Sequence, residues 1–389
     1  MIAKSLSLAF LFFLFQIALS QPPALTLYSL TESNGLSDNR VTAVFQDHQG
    51  FMWIGTEDGL NRYDGSVFKI FKGTSKDSAD LADNHIYAIA EDTNHHLWIA
   101  TINGLSEFDP QENSFHTWRP SSSMTSMNMM IDIQIDKDGN IWIGTMRGLL
   151  RFIPSQNKFL QYDIISDNPL DNRIKRILID KKNRFWIATY NGLWRFYPDT
   201  MKFERVFFGK DKFESLGLII TMTEGSDGKV WMGYWNKGLK YFDPETGTGK
   251  SVLQESLNVE GVTEVANMQG GHDIWFGNLM KINGEEEATN YTIRTNPPNS
   301  NYHVTKLYRS NDGLLWVCSD KGVMIMNPMK QFFHHHYFAQ ELTHQGFAFQ
   351  SKRNSLYVGG AEIGKCFCFI GNMLMNQLSQ QRPTQTCTT

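Results

Sequence analysis

The sequence predicts an all-β fold, a seven-bladed β-propeller of four-stranded antiparallel blades, followed by the start of a further repeat. Three observations predict it. A tryptophan-centred strand motif returns at a nearly constant period, turn residues divide each period into four short strands, and the motif is apolar on both faces. The chain has 389 residues, of which 41% are hydrophobic and 13% aromatic, so it contains ample material for such a core.

The period is carried by tryptophan. Seven of the ten tryptophans lie in a motif such as Phe-Trp-Ile-Ala-Thr, spaced by 45, 44, 44, 45, 44 and 41 residues. These structural anchors are Trp53, Trp98, Trp142, Trp186, Trp231, Trp275 and Trp316. A weaker eighth copy lies at 356–359. A repeat of about 40–45 residues with four short strands is typical of a propeller blade, whose two faces are both covered by neighbours.

The first unit shows the four strands. Residues 41–46, 51–56, 60–63 and 67–71 are β-rich runs, and Asp/Gly turns separate them. Glycine in these turns supplies the positive φ that a tight hairpin requires. The run at 25–30 precedes this unit and is placed to close the ring by pairing into the last blade.

The ends of the chain differ from the repeats. Residues 1–20 combine Lys4, an apolar run at 6–18 and small residues before Gln21, which predicts a signal peptide and a periplasmic location. An uncleaved N-terminal anchor is the alternative. We assign 21–335 to the propeller, 336–364 to the beginning of a second propeller repeat and 365–389 to an aberrant, disordered tail. Three of the four cysteines lie in that tail, so disulfides are not expected to hold the fold.

The charge of the chain argues against nucleic acid as a partner. Lys and Arg number 36 and Asp and Glu 40, which gives a net charge of -4, and no run of basic residues is present. Binding to a phosphate backbone depends on clustered positive charge.

The repeats resemble a known family through Asn34-Gly35-Leu36-Ser37-Asp38-Asn39 and then Asp47-x-x-Gly50-x-x-Trp53-Ile54-Gly55-Thr56-x-x-Gly59-Leu60-x-x-Tyr63-Asp64-Gly65. This pattern is similar to the two-component regulator propeller repeat of Bacteroidetes-type hybrid sensors. The resemblance implies a periplasmic sensor of oligosaccharides, and it also allows a homodimer, as in related sensors. Full sensors of that kind carry two propellers, a β-sandwich, a membrane helix and a histidine kinase.

The sequence departs from that plan, since it holds one propeller, the start of a second, no membrane helix after residue 20 and no kinase. We therefore predict a non-catalytic, truncated sensor fragment that binds an oligosaccharide or another small molecule. A non-functional remnant of a hybrid sensor kinase, left by a frameshift or early stop, is an alternative.

The turns after the anchor strands are the predicted ligand site. They vary between repeats on a regular scaffold, and aromatic rings beside amide and basic groups suit a sugar. The candidates are Glu57, Asn103, Arg147, Tyr190, Asn191, Trp235, Asn236 and Lys237. The alternative is that the rings only pack on neighbouring loops.

A rival hypothesis from another class is a propeller lyase or hydrolase of the streptogramin-lyase type. It would need His85, His303 and Glu57 to converge as base, acid or metal ligand. We predict neither catalytic residues nor a metal or cofactor. The three histidines at 334–336 alternate in direction along a strand and lack spaced partners, and residues 136–140 imitate a calcium loop at a position where every repeat has a hairpin turn.

Overall fold

The computed structural model of the chain describes residues 24–25, 27–73, 80–120, 128–209, 215–253, 258–266, 272–277, 280–282, 288–290, 292–293, 302–328, 347–352, 355–360 and 366–370. Residues 1–331 form one compact unit and residues 332–389 a second. The predicted signal peptide and the histidines at 334–336 lie outside the described residues. Within the described part of the chain, no helix has the length and apolar character that a membrane crossing requires.

Six blades of the first unit are four-stranded antiparallel sheets whose strands pair in chain order. Blade 1 consists of Val41–Gln46, Met52–Thr56, Gly59–Tyr63 and Phe68–Phe71. Blade 2 consists of Ile86–Glu91, Leu97–Thr101, Gly104–Asp109 and Ser114–Trp118. Blade 3 consists of Met130–Ile135, Ile141–Thr145, Gly148–Ile153 and Lys158–Tyr162.

The next three blades repeat this order. Blade 4 consists of Ile174–Ile179, Phe185–Thr189, Gly192–Tyr197 and Lys202–Val206. Blade 5 consists of Ile219–Glu224, Val230–Tyr234, Leu239–Asp243 and Thr248–Ser251. Blade 6 consists of Val262–Ala266, His272–Phe276, Met280–Ile282 and Ala288–Asn290. Short 3-10 helices in the connections span Glu32–Asn34, Pro154–Gln156 and Pro169–Asn172.

Blade 7 is built from both ends of the ring. Its first three strands are Val304–Arg309, Leu315–Ser319 and Gly322–Met326, and its fourth is Tyr28–Leu30. Tyr28–Leu30 pairs antiparallel with the third strand, with Ser29 opposite Met324. The structure thus confirms the seven-bladed all-β fold and its closure by the N-terminal run. Farther upstream, Ala24–Leu25 pairs in parallel with Thr292–Ile293.

The second unit contains a three-stranded antiparallel sheet of Phe347–Lys352, Ser355–Gly360 and Cys366–Ile370. Its first two strands lie in the segment predicted to begin a second propeller repeat. Its third strand, Cys366–Ile370, lies in the segment that the sequence analysis assigned to the tail.

The second strand of a blade explains how blades are joined. In blades 1 to 5 and 7 all five of its residues are buried. Every anchor tryptophan is buried and packs into a cluster with residues of the following blade. Trp53, for example, packs with Ile86 and Ile99 of blade 2, and Trp316 of blade 7 packs with Val41 and Ile54 of blade 1. The seven tryptophans therefore link the blades into a closed cycle.

A carboxylate fixes the tryptophan ring in most blades. Asp136 begins the turn between the first and second strands of blade 3, and its Oδ1 accepts hydrogen bonds from the backbone N–H of Asp138 and Asn140. Its Oδ2 accepts one from Trp142 Nε1 at 2.8 Å. The same Trp–Asp bond occurs six residues apart in blades 1, 2 and 4 at 2.7, 2.9 and 3.0 Å. In blade 3 this accounts for the segment that imitates a calcium loop.

Asp136→Ala tests this bond. The substitution leaves the buried Trp142 N–H without its acceptor, and we expect the free energy of unfolding to fall by about 2–3 kcal/mol. Asp138→Ala, at an exposed position of the same turn, is the control and should change it by less than about 0.5 kcal/mol. Urea denaturation followed by tryptophan fluorescence measures both, and equal stability of the two variants would contradict the assignment.

Candidate functional site

The turns between second and third strands and the connections between blades emerge on one face of the propeller, which we call the upper face. Backbone hydrogen bonds join the two sets of segments. Ile102 N donates to His85 O, Tyr190 N to Arg173 O and Asp320 N to His303 O, at 3.1 Å in each case. The turns between first and second strands, and between third and fourth, lie on the opposite, lower face.

Upper-face turns have a fixed backbone. In blade 4 the hydroxyl of buried Thr189 donates to Gly192 O at 3.0 Å and accepts the N–H of Asn191 at 3.1 Å, while Gly192 has φ +112°. The same arrangement recurs in blades 1, 2, 3 and 7, with serine in the last. A left-handed glycine is needed there because an L side chain rarely adopts that φ. Each turn therefore presents two variable side chains from a constant frame.

The structure places the first three predicted ligand residues in such turns. The Glu57 carboxylate lies 2.5 Å from the Arg40 guanidinium, across the junction between two upper-face segments. Asn103 is half-buried, and its backbone carbonyl accepts a hydrogen bond from Arg119 Nε at 2.9 Å. Arg147 is exposed. Each side chain belongs to a different blade.

Tyr190 and Asn191 rest on a buried ionic network in blade 4. Asp171 is fully buried, and its carboxylate accepts hydrogen bonds from Arg205, from Asn191 Nδ2 at 3.1 Å and from Trp194 Nε1 at 3.4 Å. Asn191 is thus held as part of the scaffold. Tyr190 is half-buried, and the Arg173 guanidinium lies 5.8 Å from the centre of its ring.

The turn of blade 5 is one residue longer than that of blade 4 and has neither threonine nor serine at the position of Thr189. Tyr234 replaces the threonine, is fully buried and donates its hydroxyl to Ser215 O at 3.1 Å. The turn presents Trp235, whose side chain is 45% exposed. Asn236 N donates to Asn258 Oδ1 at 2.8 Å, and Lys237 Nζ donates to Leu216 O at 2.8 Å. Trp235 therefore stands on a turn that is fixed on both sides.

The first strands line the middle of the ring, because neighbouring blades contact one another most through them. Six of them shift register near the upper face, and the shift leaves one residue without a partner on the second strand. Such a bulge redirects side chains. The residues concerned are Thr42, Tyr87, Ile131, Lys175, Ile220 and Thr305. None of these residues was among the candidates that the sequence suggested.

A charged cluster surrounds the bulges of blades 3, 4 and 7, and we call it the channel cluster. It consists of Asp132, Lys175, Arg176, Glu260 and Lys306, which interact electrostatically. Burial raises the pKa of Asp132 and of Glu260, and it lowers that of Lys306. Burial, with the nearby charge of Arg176, lowers the pKa of Lys175 to about 8. Two lysines and an arginine thus interact with two carboxyl groups, and burial disfavours the charged form of both lysines and of both carboxyl groups.

Two of the three residues of the lyase hypothesis have separate partners. Glu57 pairs with Arg40, whereas His303 Nε2 lies 2.9 Å from Glu260 and belongs to the junction of blades 6 and 7. Burial lowers the pKa of His85, the effect of Glu57 being smaller and opposite. Glu57 and His303 are therefore held in two different ion pairs.

The pKa of Lys175 predicts a pH dependence. The folded chain disfavours protonated Lys175, so between pH 8 and the ordinary lysine value of 10.5 it binds fewer protons than the unfolded chain. The contribution of this group to stability must therefore rise with pH in that window. Lys175→Met should stabilise the chain at pH 7, and this gain should shrink towards pH 10.

Urea unfolding at pH 7, 8, 9 and 10 measures this effect. Lys175→Arg is the control, because a guanidinium stays charged throughout and its stability should fall behind that of the unsubstituted chain above pH 8. Parallel stability profiles for the unsubstituted chain and Lys175→Met would contradict the prediction.

Comparison with known proteins agrees with this architecture. Residues 35–58, 80–103, 123–147 and 168–191 match the family described as two component regulator propeller. Each matched segment covers the first and second strands of a blade and ends within the following upper-face turn. A 50-residue stretch is 46% identical to histidine kinase P4 of Formosa agariphila, which is 13% of this chain and 4% of that protein.

Solved structures share the fold at low identity. The extracellular domain of a hybrid two-component system of B. thetaiotaomicron is 19% identical, with a TM-score of 0.65 over 90% of this chain and 48% of that chain. The chain thus spans about half the length of that domain. Virginiamycin B lyase from Staphylococcus aureus is 12% identical, with a TM-score of 0.59 over 77% of this chain and 98% of the lyase. Blades 1 to 4 thus contain repeats that match the two component regulator propeller family, and the ring has the fold of the extracellular domain of a B. thetaiotaomicron two-component system.

Proposed function

We propose that this propeller is the extracytoplasmic, ligand-binding part of a two-component sensor, and that its upper face binds an oligosaccharide. The family of its repeats and its similarity to extracellular sensor domains support the sensor role. A periplasmic location, reached through the predicted signal peptide, fits the same comparison. Assembly as a homodimer is part of the proposal, since the resemblance to related sensors implies it.

Trp235 is the observation that carries the binding proposal. Its 45% exposed ring is one of the largest apolar surfaces on the described part of the upper face, and the bonds of Asn236 and Lys237 fix the turn that holds it. A flat apolar ring of this kind stacks on the apolar face of a sugar, while neighbouring amide and ammonium groups bond its hydroxyls. Tyr190 offers a second ring on the same face.

The channel cluster supports a preference for acidic sugars. Its basic groups, Lys175, Arg176 and Lys306, outnumber its two carboxyl groups, and burial disfavours the charged form of both lysines. A carboxylate-bearing sugar near the centre of the ring would supply a negative charge that favours their protonated forms. We therefore expect acidic oligosaccharides to bind more tightly than neutral ones.

The ion pairs of Glu57 and His303 support a role without catalysis. Each would have to leave its partner, Arg40 or Glu260, before serving as acid, base or metal ligand. The likeness to the lyase is a likeness of fold, since only 12% of residues are identical.

A glycan array of neutral and acidic plant, host and microbial oligosaccharides, followed by calorimetry on the hits, tests the proposal. Trp235→Ala should raise the Kd by about 30-fold, which corresponds to about 2 kcal/mol for a central aromatic contact. Lys175→Met should weaken acidic ligands and leave neutral ones unchanged.

Met201→Asn is the matched control. Met201 is 40% exposed, lies on the lower face and has φ +56°, a conformation that Asn113 and Asn157 adopt in the same turn of blades 2 and 3. It should leave the Kd unchanged. The absence of binding across the array would overturn the proposal, as would recovery of a bound oligosaccharide in cleaved form.

A further inference from the structure

A second group of side chains converges on the lower face, between blades 1 and 2. His48 lies in the turn after the first strand of blade 1, and His95 lies in the corresponding turn of blade 2. Glu91 ends the first strand of blade 2 between them. We call these three residues the histidine-pair site. It lies on the face opposite the proposed ligand site.

The histidine-pair site brings two imidazoles to one carboxylate oxygen. His48 Nδ1 contacts Glu91 Oε1, and His95 Nδ1 lies 3.5 Å from the same oxygen. The two rings are stacked, with centroids 3.6 Å apart and planes 23° from parallel. One ligand atom from each residue lies within 4.8 Å of the other two. His48 is one-third exposed and His95 about half exposed, so the site opens to solvent.

The other blade junctions show which part of this arrangement is structural. Glu91 Oε2 accepts the backbone N–H of His48 at 2.9 Å, and this bond ties blade 1 to blade 2. The junction of blades 4 and 5 has the same bond, from Lys181 N to Glu224 Oε2 at 2.9 Å. The junction of blades 4 and 5 thus forms this bond with one carboxylate oxygen. At the junction of blades 1 and 2, the imidazoles of His48 and His95 also lie beside the other oxygen of Glu91, Oε1.

The backbone of His95 gives an independent indication. His95 has φ +68°, in the left-handed region, at the fourth residue of its turn. The same position is glycine or asparagine in blades 1, 3, 4, 5 and 7, namely Gly50, Gly139, Asn183, Gly228 and Gly313, all with positive φ. Histidine adopts this conformation less readily than glycine, because its Cβ is crowded there. The side chain that stands in place of glycine meets a second histidine and a carboxylate, so it adds a third potential ligand at one point.

We propose that His48, Glu91 and His95 form a binding site for a divalent transition-metal ion of the Zn²⁺ type. Two imidazole nitrogens and one carboxylate oxygen are a donor set that such ions prefer, with the exposed side left for water. Mg²⁺ and Ca²⁺ prefer oxygen donors and do not fit it. The ion would bridge blades 1 and 2, because His48 of blade 1 lies 43 positions before Glu91 of blade 2.

The adjacent His96 does not join this site. Its Nδ1 lies 2.7 Å from Glu107 Oε1, and the nearby Asp92 Oδ2 accepts the indole N–H of Trp98. Asp92 thus holds the anchor of blade 2, and His96 pairs with Glu107. His96 is therefore a natural control position, since it follows His95 directly and is also a histidine beside carboxylates.

Zn²⁺ titration by calorimetry, with metal analysis after equilibrium dialysis, tests the proposal on the whole chain produced without a histidine tag. The measurement is made with His334, His335 and His336 replaced by glutamine, because these consecutive residues can bind Zn²⁺ themselves. We expect one Zn²⁺ per chain, a higher Tm with Zn²⁺ and no comparable response to Mg²⁺ or Ca²⁺.

His95→Gly removes one ligand and installs the residue that blade 1 has at the same turn position. It should raise the Tm of the metal-free chain and lower Zn²⁺ affinity by more than the roughly 10–100-fold that loss of an outer-shell partner costs. His48→Lys installs the residue type that Lys181 provides at the junction of blades 4 and 5, and it should lower the affinity similarly. His96→Gln should retain the affinity. Co²⁺ absorption spectra give a second readout of the imidazole ligands.

Two results would overturn the proposal. One is the absence of stoichiometric Zn²⁺ binding by the chain that retains His48, Glu91 and His95. The other is Zn²⁺ binding that survives both His95→Gly and His48→Lys. Neither result depends on the upper face, so failure here is distinguishable from failure of the oligosaccharide proposal.

Discussion

The burial of the second strand in each blade is the constraint on which the rest of the structure depends. Because all five of its positions are covered in six blades, a blade needs a neighbour on both sides. An open row of blades would expose an apolar face at each end. The cycle closes where Trp316 packs against blade 1 and Tyr28–Leu30 completes blade 7. Hydrogen bonds from Thr305 to Val41 O and from Gln46 N to the Tyr308 hydroxyl join the same two blades.

The closed ring separates the residues that build the frame from those free to serve function. On the upper face a buried threonine or serine and a left-handed glycine fix the turns of blades 1 to 4 and 7, and each of these turns presents two residues that differ between blades. On the lower face the turns of blades 1 to 4 hold the carboxylates that orient the tryptophans. The histidine-pair site stands out because His95 occupies a turn position that is glycine or asparagine in blades 1, 3, 4, 5 and 7.

Much of the fold could be predicted from the sequence because the fold repeats. The 41–45-residue period, the four strands of each blade and the closing role of the N-terminal run all follow from patterns that recur. Trp235 was a candidate because it is an aromatic ring beside an amide and a basic group, and its role in binding stays a prediction. The anchors and the Asp-x-x-Gly turns appear as one motif, although the bond between Trp Nε1 and the aspartate becomes visible only in three dimensions.

The channel cluster could not be predicted, for a physical reason. Lys175 and Lys306 lie in strands that read as ordinary alternating β-structure, and a one-residue bulge decides which side chains face the middle of the ring. The convergence of His48, Glu91 and His95 depends on the packing of two blades. Alignment of the repeats would have shown His95 at a glycine position, and that was the available signal.

Hydrogen exchange followed by mass spectrometry tests the central claim, the closure of the ring by the N-terminal strand, most directly. If Tyr28–Leu30 completes blade 7, its amides should exchange as slowly as those of Gly322–Met326, with which it pairs, and both should become exposed together as denaturant is added. Exchange of Tyr28–Leu30 at the rate of a free peptide, while Gly322–Met326 stays protected, would contradict the account.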